Sequence, residues 1–262
     1  MATCSHDTAA AVLAVPATET RDSWAYLSSG TWSLLGAELE RPLLTPDVLA
    51  ANFTNETGHG PTTRLLKNII GLWLVQECRR HWAADGADYT YAQLQQQAAA
   101  ADPLRTLINP DAPRFAAPGN MPGKIADYAR ETHQPVPRTP GETIRAALES
   151  LALLYDKTLA TLENLINYPV NTLHIVGGGG QNTLLNQFTA DATNRAVIAG
   201  PVEATAVGNI LLQAIALQEI PNRAAARQIV RDSFPLTTCT PQKQAAAAWS
   251  AARKRFQTLP NQ

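Results

Sequence analysis

Cysteine is scarce in this chain of 262 residues: Cys4, Cys78 and Cys239 are odd in number and far apart. That pattern supports neither a disulfide framework nor a zinc site built on Cys-x-x-Cys pairs, and it fits a reducing cytoplasm. Of the five histidines, His59, His81, His133 and His174 stand at no ligand spacing to one another, which argues against a metal held through imidazole. No excess of one charge exists either. Lys and Arg number 21 against 22 Asp and Glu, so no general field gathers nucleic acid or an anionic membrane surface. The chain also lacks any run of about 18 apolar residues, and no basic stretch leads into an apolar one near Met1, so neither a membrane span nor a secretion signal is expected.

What remains is the balance of a compact globular domain, 45% hydrophobic and 16% charged. The paired bases Arg79-Arg80 and Arg253-Lys254-Arg255 fall on expected helices and read as solvated faces.

Ala9 to Val15 reads as a small-residue helix or buried segment. Trp24 to Leu27 and Trp32 to Leu35 are β-prone around the turn residues Ser28-Ser29-Gly30-Thr31, which predicts a hairpin. Thr45-Pro46-Asp47 opens a short helix, with Thr as N-cap and Pro in the first turn. From Arg64 to Trp82 the apolar residues Leu65, Leu66, Ile69, Ile70, Trp73, Leu74 and Cys78 recur at helical spacing. This predicts one long helix, with Asn68 and Gln76 near one face of it.

Another helix is expected from Tyr91 to Ala101, followed from Asn109 to Gly123 by a loop shaped by four prolines. Thr139-Pro140-Gly141-Glu142 is a capping box opening a helix of roughly seven turns. Thr172 to Val176 is a buried strand, Gly177 to Gly180 a loop, and Asn182 to Asn194 a helix. A second strand at Val197 to Ala199, a turn at Gly200-Pro201 and a helix from Val202 to Gln218 complete an α/β layer. Gln242 to Phe256 closes the chain as a surface helix.

Three features carry chemistry. Four consecutive glycines between a strand and a helix let backbone approach a ligand closely, and the following helix N-terminus suits phosphate. No Gly-Lys-Ser/Thr follows them and position 182 is Asn, so this is neither a Walker A loop nor a Gly-x-Gly-x-x-Gly fingerprint. The hydroxyl-rich hairpin turn can cradle phosphates without a lysine, though such a tip is more often only a turn. Asp7, between His6 and Thr8, is a carboxylate able to take a proton from an attacking hydroxyl, though an isolated His-Asp is more often an exposed tail. No Gly-x-Ser-x-Gly elbow is present, which argues against a serine hydrolase.

In combination the motifs become specific. Cys4-Ser5-His6-Asp7-Thr8-Ala9, Leu27 to Ser33, Asn52-Phe53-Thr54-Asn55-Glu56 and Leu65 to Trp73 resemble the C-terminal domain of the rhamnulokinases, within the FGGY carbohydrate kinases. His174 to Gly179 followed by Gln181-Asn182, Gly200 to Thr205 and Gly208-Asn209 extend the resemblance over nearly the whole chain, taken as one domain of residues 1–262.

The resemblance implies an α/β, ribonuclease-H-like fold of the actin and hexokinase type, a mixed sheet flanked by helices. It implies ATP-dependent phosphorylation of the C1 hydroxyl of L-rhamnulose, with Mg2+ accompanying the nucleotide. By the same resemblance Asp7 is the general base, and His6, Asp7, Thr8 and Asn68 contact the sugar. Thr31, Gln76 and Gly179 contact ATP, with Gly178, Gly180 and Asn182 as neighbours. Two partners follow, a small sugar and ATP, and a third is the family's N-terminal domain, which carries another phosphate hairpin and most sugar contacts and is not encoded in these residues. Length differences from the family would fall in the loop from Glu19 to Asp22. Two other readings stand beside this one: an inert or nucleotide-binding fragment, and a related kinase acting on another sugar such as xylulose, fuculose or glycerol.

Overall fold

The computed structural model describes residues 6–18 and 24–260. Cys4, Ser5 and the loop at 19–22 lie outside these residues. In chain order the elements are α1 (Asp7–Leu13), β1 (Trp24–Ser29), β2 (Trp32–Leu39), α2 (Pro46–Ala50), β3 (Thr54–Thr57), β4 (Thr63–Ile70), α3 (Trp73–Ala84), α4 (Tyr91–Ala100), α5 (Met121–Glu131) and α6 (Pro140–Ile166). They continue with β5 (Thr172–Val176), α7 (Thr183–Thr193), β6 (Ala196–Ala199), α8 (Ala204–Ala216), α9 (Arg223–Ser233), β7 (Thr237–Cys239) and α10 (Ala246–Gln257). The chain forms two compact units.

The first unit takes Met1–Ile69, Lys157–Gln181 and Arg195–Thr240. Its centre is a seven-stranded mixed sheet in the order β3-β4-β2-β1-β5-β6-β7. β1 and β2 form the expected antiparallel hairpin, with Ser29 opposite Ser33. β5 lies parallel to both β1 and β6, setting Ser28 beside Val176 and Ile175 beside Ala199. On the sheet, α1 and α8 pack closely because both are built of small residues: a Cβ on Gly208 would stand 1.8 Å from the Ala10 carbonyl oxygen. Around them Val12, Leu13, Val15, Tyr26, Leu66, Val176, Leu211 and Val230 make one apolar core. Burying this much aliphatic surface is the main favourable term in the unit's stability.

Two arginines of α9 tie the end of α1 to this core. Arg227, 2% exposed, donates to the Val12 carbonyl and to Glu38, and Arg231 donates to the Ala17 carbonyl. Neither α9 nor β3 nor β7 was expected from periodicity, since each is short or predominantly polar.

The second unit takes Ile70–Asp156, Asn182–Asn194 and Pro241–Gln262 and is helical. Trp73 donates to the Phe115 carbonyl at 3.0 Å, and the Phe115 and Tyr128 rings pack at 5.6 Å. Buried Glu149 accepts from Arg145 at 2.7 Å and from the Leu104 amide at 2.8 Å. Arg253, from the basic group read as a solvated face, is in fact tied to Asp156 and the Ala192 carbonyl. The capping box at α6 forms as expected, with the Glu142 amide donating to Thr139 Oγ1 and the Thr139 amide to Glu142.

The long helix expected from Arg64 to Trp82 does not exist. Residues 63–70 are a strand covered on both faces, with Thr63 to Leu66 consecutively buried, and a helix begins only at Trp73. The pairs Leu65-Leu66 and Ile69-Ile70 satisfy a helical stripe and a doubly buried strand equally well, and the inner position of β4 in the sheet decides for the strand. Asn68 and Gln76 therefore share no helix face. The proline-rich loop also ends earlier than expected: Asn120 caps α5 by accepting from the Gly123 amide, leaving Pro122 in a first turn where its missing N–H costs nothing.

Candidate functional site

The parallel pairing of β1 and β5 brings two of the three expected features together. Because Ser28 is level with Val176, the hairpin turn after Ser29 and the glycine loop after Val176 emerge side by side at the carboxyl ends of their strands. Crevices outside such strand ends are the usual ligand sites of α/β sheets. Gly177 has φ of +87°, and its Cβ would stand 2.9 Å from the Ser29 carbonyl oxygen. A Cβ on Gly179 would stand 2.0 Å from Ser29 Oγ and 2.7 Å from Ser29 Cβ. Both positions therefore need glycine, for contact with Ser29 as well as for backbone freedom. Gly178 differs: nothing lies within 4 Å of its Cβ direction, and it faces out from the loop.

Backbone bonds hold this end of the sheet. The Gly180 amide donates to the Gly177 carbonyl at 3.0 Å, and the Gly200 amide to the Ile175 carbonyl at 2.8 Å. The Gly177 amide donates to the Pro201 carbonyl at 3.2 Å, which joins the loops after β5 and β6. In the hairpin turn the Gly30 amide donates to the Trp32 carbonyl, while Thr31 is exposed. Beneath the turn, the hydroxyls of Ser29 and Ser33 are buried with no hydrogen-bond partner among the described residues. Buried hydroxyls without a partner are uncommon in folded proteins.

The third feature is built separately. His6 caps α1, its Nδ1 accepting from the Thr8 amide, and Asp7 opens the helix. Asp7 Oδ1 accepts from the Thr8 amide at 2.7 Å and lies 2.7 Å from His6 Nδ1. The side chains of His6 and Asp7 are 62% and 68% exposed, open to a reactant. Thr8 Oγ1 meets His6 Nδ1 at 2.8 Å and accepts from Arg64 Nη1 at 2.7 Å. Arg64 adjoins Leu65, whose carbonyl abuts Gly36 opposite Tyr26.

Asn68 is exposed on β4 in this same unit. Gln76 is on α3 in the helical unit, half-buried. Asn182 is engaged already: its side-chain oxygen accepts from the Leu185 amide and caps α7, answering one of the N–H groups expected to face a ligand. Arg64, tied to Thr8, was hidden by the helical reading of its segment, although a charged residue amid apolar neighbours is a signal in itself.

Burial moves several groups nearby. It pushes the Tyr26 phenol well above its ordinary range, partly offset by the Arg64 guanidinium. It pushes His174 down to about 4, helped by Arg227 and Arg231. Among the described residues, no three His, Cys, Asp or Glu side chains gather to hold a metal, and no helix is long and apolar enough to cross a membrane.

Residues 25–217 match the family model described as the FGGY family of carbohydrate kinases, C-terminal domain. The chain is 48% identical over 256 residues to a protein of Bacteroides thetaiotaomicron named rhamnulokinase, covering 98% of this chain and 51% of that protein. A Bacillus subtilis protein of the same name is 45% identical over 241 residues, 92% of this chain and 49% of that one. The chain spans about half the length of these curated relatives. Among solved structures, ligand-bound xylulose kinase from Lactobacillus acidophilus superposes with a TM-score of 0.70 at 16% identity, over 94% of this chain and 48% of that one. That likeness speaks to the fold, and the ribonuclease-H-like, mixed-sheet class expected from the sequence is borne out.

Proposed function

The chain belongs to the FGGY family of carbohydrate kinases, and from that premise we propose that residues 1–262 are the C-terminal domain of an ATP-dependent rhamnulokinase, its nucleotide and general-base half. The observation that carries the nucleotide side is the packing of Gly177 and Gly179 against Ser29, which sets a glycine loop and a hydroxyl turn edge to edge. The Thr31 turn and the outward-facing Gly178 present backbone and hydroxyl donors to phosphate oxygens, a lysine-free cradle. The choice of L-rhamnulose over another sugar is supported by identities of 48% and 45% to proteins named rhamnulokinase.

Asp7 is assigned as general base. Its exposed carboxylate, at the tip of α1, is free to take the proton of the attacking C1 hydroxyl as the phosphoryl group departs from ATP. His6 and Asn68 are assigned to the sugar, Gln76 and Gly179 to ATP. Mg2+ on the nucleotide supplies neutralisation of phosphoryl charge.

The test is a coupled kinase assay with L-rhamnulose, ATP and Mg2+, using this chain together with the half that its relatives carry beyond it. Turnover with L-rhamnulose and none with xylulose or glycerol is expected. Turnover on xylulose or glycerol instead would overturn the sugar assignment, and ATP binding without turnover on any sugar would overturn the enzymatic one.

A further inference from the structure

Asp7 is exposed and sits at the start of a helix of seven residues, an element too short to hold its first turn by itself. A general base misplaced by about 1 Å loses roughly a hundredfold in rate, so something must hold that turn. The far end of α1 is held by Arg227, which donates to the Val12 carbonyl. The near end meets Arg64, 1% exposed, with every guanidinium nitrogen engaged. Nε donates to the Thr57 carbonyl at 3.1 Å, Nη2 to Glu56 at 2.8 Å and Nη1 to Thr8 Oγ1 at 2.7 Å. A planar fork satisfied in three directions, twice by β3 and once by α1, is a rigid post.

We propose that Arg64 is a positioning residue for the general base: through the Thr8 hydroxyl it fixes the turn that carries Asp7. The hydroxyl's capacity supports this. It has one proton and two lone pairs; one lone pair takes Arg64 and His6 Nδ1 at 2.8 Å takes up a second site, so two of its three sites already hold the turn in place. The catalytic consequence rests on the kinase reading, whereas the positioning itself does not.

Amide hydrogen exchange on this chain tests the positioning directly. The Ala9 and Ala10 amides donate to the His6 carbonyl at 3.0 and 3.3 Å, and the Ala14 amide donates to the Ala10 carbonyl at 3.2 Å. In Thr8→Val and Arg64→Gln, Ala9 and Ala10 should exchange about tenfold faster or more, the scale of losing a bond to a charged group, with Ala14 unchanged. Thr8→Ser, which keeps the hydroxyl, should restore the wild-type pattern. Thr8→Val leaves the bonds from Arg64 to Glu56 and Thr57 in place, so it carries the test even if Arg64→Gln does not fold. Unchanged exchange at Ala9 and Ala10 in Thr8→Val overturns the inference.

In the complete kinase, Thr8→Val should lower kcat about 10- to 100-fold with KM for ATP unchanged. A rise in the sugar KM at constant kcat would leave Thr8 a substrate contact alone and overturn the proposal. Absence of turnover in the wild type would sink the kinase reading alone, since the exchange result still decides the role of Arg64.

Discussion

Ser29 Oγ occupies the space that a Cβ on Gly179 would need, 2.0 Å from its ideal position. One residue belongs to a hairpin and the other to a loop far along the chain, and the β1–β5 register presses them together. Gly179→Ala should therefore cost about 1 to 3 kcal/mol, as overpacking does. Combined with Ser29→Gly, which removes both side-chain atoms that crowd it, the loss should be smaller than the sum of the two single changes by about 1 kcal/mol. Urea unfolding of the four proteins measures this cycle, and strict additivity would show that the two residues do not press on each other.

Gly208 offers a harsher case, because the three atoms nearest a Cβ there are all Ala10 backbone, at 1.8, 2.5 and 3.1 Å. No side-chain rotation can relieve it, so α1 must move. Gly208→Ala should cost about 2 to 3 kcal/mol. If Asp7 is the general base, it should also lower kcat of the complete kinase more than it raises KM for ATP, since Asp7 rides on α1. Gly178→Ala, with nothing within 4 Å, is the control and should leave stability within about 0.5 kcal/mol.

For Asp7 the expectation is the reverse split. Its side chain is 68% exposed, so Asp7→Asn should leave the urea midpoint nearly unchanged. If Asp7 is the general base, turnover in the complete kinase should fall by about 100- to 10,000-fold. A variant retaining most of its activity would remove Asp7 from that role.

His174 makes the stability of the sheet unit pH-dependent. Burial and the facing Arg227 and Arg231 hold it neutral, with a folded value of about 4 against about 6.5 unfolded. Between these values the unfolded chain binds the proton that the folded chain refuses, so this contribution is whole above pH 6.5 and is lost as pH falls towards 4. Its full size is on the order of 3 kcal/mol. Glu149, which burial raises, acts in the opposite direction in the other unit. Comparing wild type with His174→Asn isolates the histidine: the wild type should lose more stability between pH 7 and pH 5. Equal losses would show that His174 does not govern the decline.

The local elements were legible wherever one signal acted alone. The Thr45 cap before Pro46, the Thr139–Glu142 box, the hairpin around Gly30 and the strand before Gly177 each depend on neighbours in sequence, and each formed as read. The segment from Arg64 to Trp82 failed because Leu65, Leu66, Ile69 and Ile70 fit two periodicities, and only the strands on either side of β4 distinguish them. The same failure hid Arg64, since a buried arginine makes sense only once Thr8, Glu56 and Thr57 are seen around it.

Sequence by itself determined the glycine loop, the hydroxyl turn, the His6-Asp7-Thr8 triplet and, through their combination, the family. Those depend on residue type and local spacing. Only the tertiary structure decided that the turn and the loop share one edge, that both Gly177 and Gly179 are fixed by Ser29, and that the triplet hangs from Arg64. Strand register and close packing are properties of the whole folded unit, set by which apolar faces can be buried together, and no local pattern encodes them.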